Sequence, residues 1–368
     1  MPEKKSYFFS PSTKEQWIDV AKNELNGLHP FEKLTFSIDG ITISPYYDQT
    51  DVKKETVPLP TSLNPYLGAR TWHNLVPVSV TDSVKANKLA LTYLNSGADG
   101  IFFDLLPNSK ATQLVKDIEL PYCAVTFRAA SNQADFFLDF SNYVQTKENY
   151  SKGLTGAIFW QSEPDNLIGI CEAFKGCDHF HSCGIHSEDI SSPSSEICSL
   201  LIQAVKQIDR LTEGGLHIKD AMGTIAFLTM IETDFFTEIA KLKALRWLWH
   251  QITCAYDSSF DRPLFIHAYS AAWVKAEYQP HCNMIKSTTA ALSAILGGCD
   301  GLTVYPEDLK NPLQNRIAKN VSSILREESH LSRVSDPTAG SYYLEQLTDQ
   351  LAQQAWSKFQ KKLAHNPN

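Results

Sequence analysis

Chemistry-bearing side chains are densest in CDHFHSCGIH, residues 177–186. Successive side chains on a β-strand point to opposite faces, so Cys177, His179, His181 and Cys183 are expected on one face. Two histidines spaced this way, His179 and His181, can hold a divalent cation, with His217, His267 and Asp300 available to complete its shell. The competing expectation is that these groups pack and hydrogen-bond among themselves, because the spacing of the further ligands demands no metal. The eight cysteines include no CxxC pair, and a chain of 368 residues needs no disulfide staples. Reduced thiols and a cytoplasmic location are therefore expected.

Other motifs are missing. No GxxxxGKS/T, GxSxG, HExxH or GxGxxG occurs. The DxHxxG signature, which binds cobalamin through its histidine, is met only at His181 and Gly184. His179 stands where the aspartate belongs, so the match fails. Glu327 and Glu328 end a helical pattern and are expected to be solvated. The net charge of −8 with no basic run argues against nucleic acid or an anionic membrane surface as partner. The longest uncharged apolar stretch, Ala221 to Ile231, is far short of the ~20 residues of a spanning helix. The start, MPEKKSYFFSPST, has no apolar segment of the secretory type.

The elements that must position these residues follow from periodicity. Residues 1–68 predict a helix near Trp17 to Leu25 and a hairpin within Lys33 to Tyr47, an arm without a core of its own. It is expected to lie on its own barrel or on a partner. From residue 69 onward β-rich runs alternate with helical patterns. Candidate strands are 69–76, 98–104, 122–128, 155–161, 178–185, 221–230, 263–270 and 300–305. Helices are expected after Asn283, around Ile317 to Leu325, and from Leu344 to Phe359. Eight strands separated by helices fit a (β/α)₈ TIM barrel with an N-terminal arm and a closing C-terminal helix, with residues 69–368 as the barrel unit. A doubly wound sheet would more often carry a glycine fingerprint after its first strand.

The phase of each strand then sorts its side chains. Leu264, Ile266 and Ala268 suit the helix-facing side, which turns Phe265, His267 and Tyr269 inward. The same logic turns Ala124, Thr126 and Arg128 inward, with Ala157, Phe159 and Gln161, and Gly301, Thr303 and Tyr305. A barrel lumen is normally aliphatic, and this one mixes polar and aromatic groups. Either the polar groups bind a long ligand threaded along the axis, or Phe102, Phe159, Phe265, Tyr269 and Tyr305 plug it.

The residues give no reaction, but longer strings carry a resemblance. RIAKNVSSILREESHLSRVSDPTAGSYYLEQLT, Arg316 to Thr348, resembles the RIARN…EES…KVADP.GGSY run of the methylmalonyl-CoA mutase family. NMIKSTTAALSAILGGCDGLTV and FFTEIAKLKALRWLW resemble two further segments of it, and WIDVAKNELNG…ITISPYY resembles its N-terminal arm. TVYP at 303–306 is closer to the small, non-catalytic chain of heterodimeric members. The resemblance implies a barrel that threads a CoA ester along its axis, adenosylcobalamin held by a separate C-terminal domain, and a radical rearrangement of methylmalonyl-CoA to succinyl-CoA.

Departures from the pattern shape what is expected here. The family's RPWTIRQYAGF appears as ARTWHNLVPVS, so Arg70 and Trp72 persist while Leu75 replaces an arginine and Pro77 the tyrosine over the corrin. LTGTIQNDIL appears as LTGAIFWQSE, which puts Ala157 and Phe159 at substrate-contacting positions. The carboxylate-gripping arginine falls near Gly169, and the active-site histidine near Ile190 or, with another gap, at His186. The sequence ends at Asn368, before a cobalamin domain could begin. The expectation is a chain with no catalytic residues and no cofactor of its own. Vestigial substrate contacts would be Arg70, Trp72, Arg128, Gln161 and His267, with acyl-CoA binding doubtful. It would join a cobalamin-dependent catalytic subunit as a heterodimer, or form a homo-oligomer, through the arm. The alternatives are a free-standing barrel enzyme using a metal on His179 and His181, and a fragment of a longer subunit.

Overall fold

A computed structural model describes residues 12–52, 59, 68–187, 189–271 and 282–365. The arm comes first. Helix α1 (Lys14–Glu24) starts at a capping box in which Thr13 and Gln16 satisfy each other's backbone N–H groups. Helix α2 (Pro30–Lys33) leads into an antiparallel hairpin, β1 (Phe36–Ile38) and β2 (Ile41–Ile43). Asp39 and Gly40 turn it with φ of 51° and 76°, the left-handed pair that a tight hairpin requires.

Eight parallel strands then close a barrel. The order runs β3 (His73–Val80), α3 (Ser83–Asn95), β4 (Gly100–Leu105), α4 (Ala111–Leu114), β5 (Ala124–Ala129), α5 (Ala134–Gln145), α6 (Tyr150–Gly153) and β6 (Thr155–Trp160). It continues with α7 (Leu167–Ala173), β7 (His179–His186), α8 (Pro193–Glu213), α9 (Ile218–Gly223), β8 (Ile225–Ile231), α10 (Phe235–Tyr256) and β9 (Phe265–Ser270). It ends with α11 (Cys282–Gly297), β10 (Gly301–Thr303), α12 (Pro312–Glu327) and α13 (Tyr342–His365). Side-chain caps set several starts: Ser192 for α8, Asp234 for α10 and Asn311 for α12, with proline at the first turn of α8 and α12.

The predicted barrel is thus the observed one, with local shifts. The first strand is expected at 69–76 and forms at His73–Val80, because Arg70 and Trp72 are held outside the ladder by α12 and the chain before β10. Residues 221–223 belong to α9, not to β8. A register shift in β7, between the pairs Ala157↔His181 and Phe159↔Gly184, breaks the strict alternation expected for 177–183. Cys183 consequently packs outward in the helix-facing core, as does Cys177 ahead of the strand, while His181 stacks on Phe265 of the inner face.

Closure depends on side chains, since β10 meets β3 at only two register positions, Gly301↔His73 and Leu302↔Asn74. Arg326 from α12 spans Asp99, with contacts of 3.1 and 2.6 Å, and donates to the Trp72 carbonyl at 2.6 Å. Trp72 Nε1 donates to Ser322 Oγ at 2.8 Å, and Asn74 to the Lys319 carbonyl at 2.9 Å. On the other flank Arg246 of α10 donates to the Leu264 and Gly298 carbonyls and to Asp300. The strings at Arg316–Thr348 and Phe235–Trp249 therefore include the braces of the barrel.

The hairpin docks on its own barrel. Asp39 accepts from the Ser194 backbone N–H in the first turn of α8 at 2.9 Å, where the helix dipole favours an anion. Gln354 of α13 donates to the Asp39 carbonyl at 2.5 Å, and Ile41 and Ile43 are buried in the helix-facing core. Val20, Leu28, Leu34 and Phe36 remain exposed on the arm.

Candidate functional site

The lumen is packed solid below its mouth. Leu75, Phe102, Ala124, Ala157, Phe159, Ala226, Leu228 and Phe265 form one buried cluster, with Tyr269 and Tyr305 against it. Phe102 and Phe159 meet edge to face at 6.5 Å between ring centroids, and both contact the His267 ring. Two glycines make room for this cluster: a Cβ on Gly184 would lie 2.5 Å from the Phe159 ring, and one on Gly301 would lie 2.8 Å from Leu75. His267 is fully buried, and its Nε2 is paired with Thr303 Oγ1 at 2.8 Å, which in turn donates to the Leu75 carbonyl. Burial, aided by the nearby Arg128 charge, pushes its pKa down to about 3, so the imidazole is neutral.

Above this plug lies a cavity of about 380 Å³, lined by Asp104, Arg128, Phe159, Gln161, His186, Leu228, Tyr269, Ser270 and Tyr305. All of these sit at or near the C-terminal ends of barrel strands, the end where barrels of this kind carry their sites. Arg128 dominates it. Its guanidinium carbon lies 5.2 Å from the Phe102 ring centroid and 5.6 Å from that of Tyr269, geometry in which ring faces attract a cation. Asp104 occupies the register position beside Arg128; burial raises its pKa while the Arg128 charge opposes the rise. Burial pushes the Tyr305 hydroxyl up to about 12, against the pull of the same arginine.

The sequence-predicted residues divide between the two ends of the barrel. Arg128 and Gln161 line the mouth and His267 lies in the plug beneath. Arg70 and Trp72 belong to the opposite end: Arg70 is buried with its guanidinium on the Cys299 carbonyl at 2.6 Å, and Trp72 is held by Ser322. Arg70 and Trp72 therefore lie at the other end of the axis from Arg128 and Gln161. Asp104, Leu228 and Ser270 were not anticipated at the mouth. Asp104 was legible, two residues beyond the inward Phe102 on the same face.

His179 and His181 also lie at the N-terminal end, around a cavity of about 160 Å³ with His73, Asp178 and Asp300. His179 is exposed, and His181 is buried with Nδ1 on the Gly223 carbonyl at 3.1 Å. Burial is the main cause that lowers His181 to about 4. Among the described residues no three His, Cys, Asp or Glu side chains gather as metal ligands. Cobalamin does not fit here either. The histidine nearest its signature, His181, is enclosed within the barrel and stacked on Phe265, where no corrin ring can approach it. No helix of the described residues is long and apolar enough to cross a membrane.

The methylmalonyl-CoA mutase small subunit of Porphyromonas gingivalis is 30% identical over 397 residues, covering 97% of this chain and 64% of that protein. The small subunit of Streptomyces virginiae is 26% identical and covers 96% of this chain and 64% of that protein. The methylmalonyl-CoA mutase of Escherichia coli is 35% identical over 166 residues, 44% of this chain and 23% of that protein. The chain thus spans about two thirds of the length of the small subunits it matches. The family model described as methylmalonyl-CoA mutase matches residues 178–364, which takes in the Lys241 and Arg246 helix, the seam helix and the closing helix. With half the chain under that match and the braces within it, this protein belongs to the methylmalonyl-CoA mutase family.

Proposed function

We propose that this chain is a small-subunit-like barrel, catalytically silent alone, that supports a cobalamin-dependent catalytic subunit interconverting methylmalonyl-CoA and succinyl-CoA. The filled lumen carries the proposal. Leu75, Ala157 and Phe159 stand where the resemblance puts substrate-contacting side chains, and all three are members of the apolar plug. A CoA ester threaded along the axis would have to displace Phe102, Phe159, Phe265 and His267, all buried. Arg128, Gln161 and His267 would be remnants of a substrate passage, while Arg70 and Trp72 serve the frame.

The pairing is supported by the names of the two relatives, each called a small subunit. It is also supported by the arm: Asp39 fixes the hairpin to its own barrel, while Val20, Leu28, Leu34 and Phe36 face outward. Exposed apolar groups of this number on one short segment suit burial against a second subunit. All eight cysteines are free thiols, which suits a reducing cytoplasm. The test is co-expression with a catalytic mutase subunit, followed by size-exclusion chromatography and a mutase assay. Co-elution with a gain in activity or yield is expected; separate elution with no change in activity would remove the proposal.

A further inference from the structure

The mouth cavity holds a feature that a purely structural barrel does not need. Arg128 projects into it from β5 and forms no ion pair with any described carboxylate. Arg70, Lys241, Arg246 and Arg326, by contrast, each hold a fixed carbonyl or carboxylate oxygen. Arg128 is steadied instead by the faces of Phe102 and Tyr269 and by a hydrogen bond to the Tyr305 hydroxyl. Ring faces hold a cation without occupying its N–H groups, and a single hydroxyl takes only part of a five-donor fork, so N–H groups remain for a carboxylate.

The surroundings narrow the ligand. Phe159 and Leu228 supply an apolar floor, while Gln161, Ser270 and the Tyr305 hydroxyl supply hydrogen-bonding walls. Asp104 lines the same cavity and adds a negative charge or an acceptor. A doubly charged oxyanion is disfavoured there, whereas a hydroxyl is welcome because the carboxylate can accept its proton. The plug below closes the axis, so a ligand enters from the mouth and stops at Phe159. We infer that the mouth binds a short aliphatic carboxylate bearing a hydroxyl group, with the carboxylate on Arg128 and the hydroxyl turned to Asp104.

The inference does not rest on pairing with a catalytic subunit, since it is tested on the full chain by itself. Isothermal titration at constant ionic strength would use lactate, propionate, which lacks the hydroxyl, and inorganic phosphate. Saturable lactate binding is expected, stronger than propionate and stronger than phosphate. Arg128→Gln is expected to weaken lactate about tenfold or more, and Arg128→Lys, which keeps the charge but loses the fork, by less. Circular dichroism confirms that both variants are folded. Asp104→Asn is expected to erase most of the preference for lactate over propionate. No saturable binding by lactate, equal binding by wild type and Arg128→Gln, or phosphate binding tighter than lactate would each overturn the assignment.

Discussion

Lys241 offers the sharpest test of the claim that the family's recognisable strings hold the barrel together. Its ammonium group lies 2.8 Å from Glu196 and 2.7 Å from Glu238, and donates to the Met230 carbonyl at 2.8 Å. Thr229 completes the cluster by donating to the other Glu196 oxygen at 2.6 Å. The Lys241 side chain is 3% exposed, and those of Glu196 and Glu238 are 7% and 4%. One cation thereby ties α8, α10 and the end of β8 out of reach of water. Lys241→Met removes it and leaves two carboxylates buried side by side. Breaking a buried pair in this way costs about 3–5 kcal/mol, because the remaining charge is uncompensated.

The loss depends on pH with a definite sign. Burial holds Glu238 above its ordinary value of 4.5, and Lys241 is the charge that opposes the rise. Without Lys241, burial and the Glu196 charge act together, so the folded protein retains a proton that the unfolded chain releases. A raised folded pKa gives stability that is full below the unfolded value and lost as pH rises through the folded one. Urea unfolding followed by circular dichroism should therefore show a larger penalty near about pH 8 than near about pH 5. Lys175→Met, at a pair whose lysine side chain is 69% exposed, is the control and should change stability by under about 0.5 kcal/mol. A Lys241→Met penalty below about 1 kcal/mol, or one flat across that pH range, would refute the reasoning.

Further outcomes follow from the plug and the seam. Phe102→Ala should lower stability by about 3–5 kcal/mol in urea unfolding, since the ring is fully buried and its neighbours cannot collapse into the space. Arg326→Gln should cost roughly 1–3 kcal/mol and speed hydrogen exchange in β3 and β10, because Asp99 and the Trp72 carbonyl lose their donor. His267 sits near 3 in the fold against 6.5 unfolded, so it gives stability that is present above about 6.5 and lost on acidification toward about 3. His267→Gln should flatten that part of the stability–pH profile; an unchanged slope would argue against a neutral, buried imidazole.

Much of this was legible in the sequence for a simple reason. A barrel strand has an apolar outward face, so Val125 with Phe127, Ile158 with Trp160, and Ile266 with Ala268 fix the phase, and the inward set follows by alternation. Alternation fails where the backbone departs from it. The β7 irregularity sent Cys183 outward, and no residue type there announces a bulge. Arg70 and Trp72 looked like the start of a strand because their positions depend on Cys299 and Ser322, more than 200 residues later. The Lys241 cluster was hidden for the same reason: its glutamate on α8 lies 45 residues upstream. That Arg128 rests on the Phe102 and Tyr269 rings is likewise a property of the assembled mouth.

The proposed role, supporting mutase chemistry without performing it, is addressed directly by one set of assays. Mutase turnover of methylmalonyl-CoA with adenosylcobalamin is measured for the chain alone, for a catalytic subunit alone, and for the two co-expressed. No turnover by the chain alone and more turnover by the pair than by the catalytic subunit alone is the predicted result. Turnover by the chain alone, or a pair no better than the catalytic subunit alone, would contradict it.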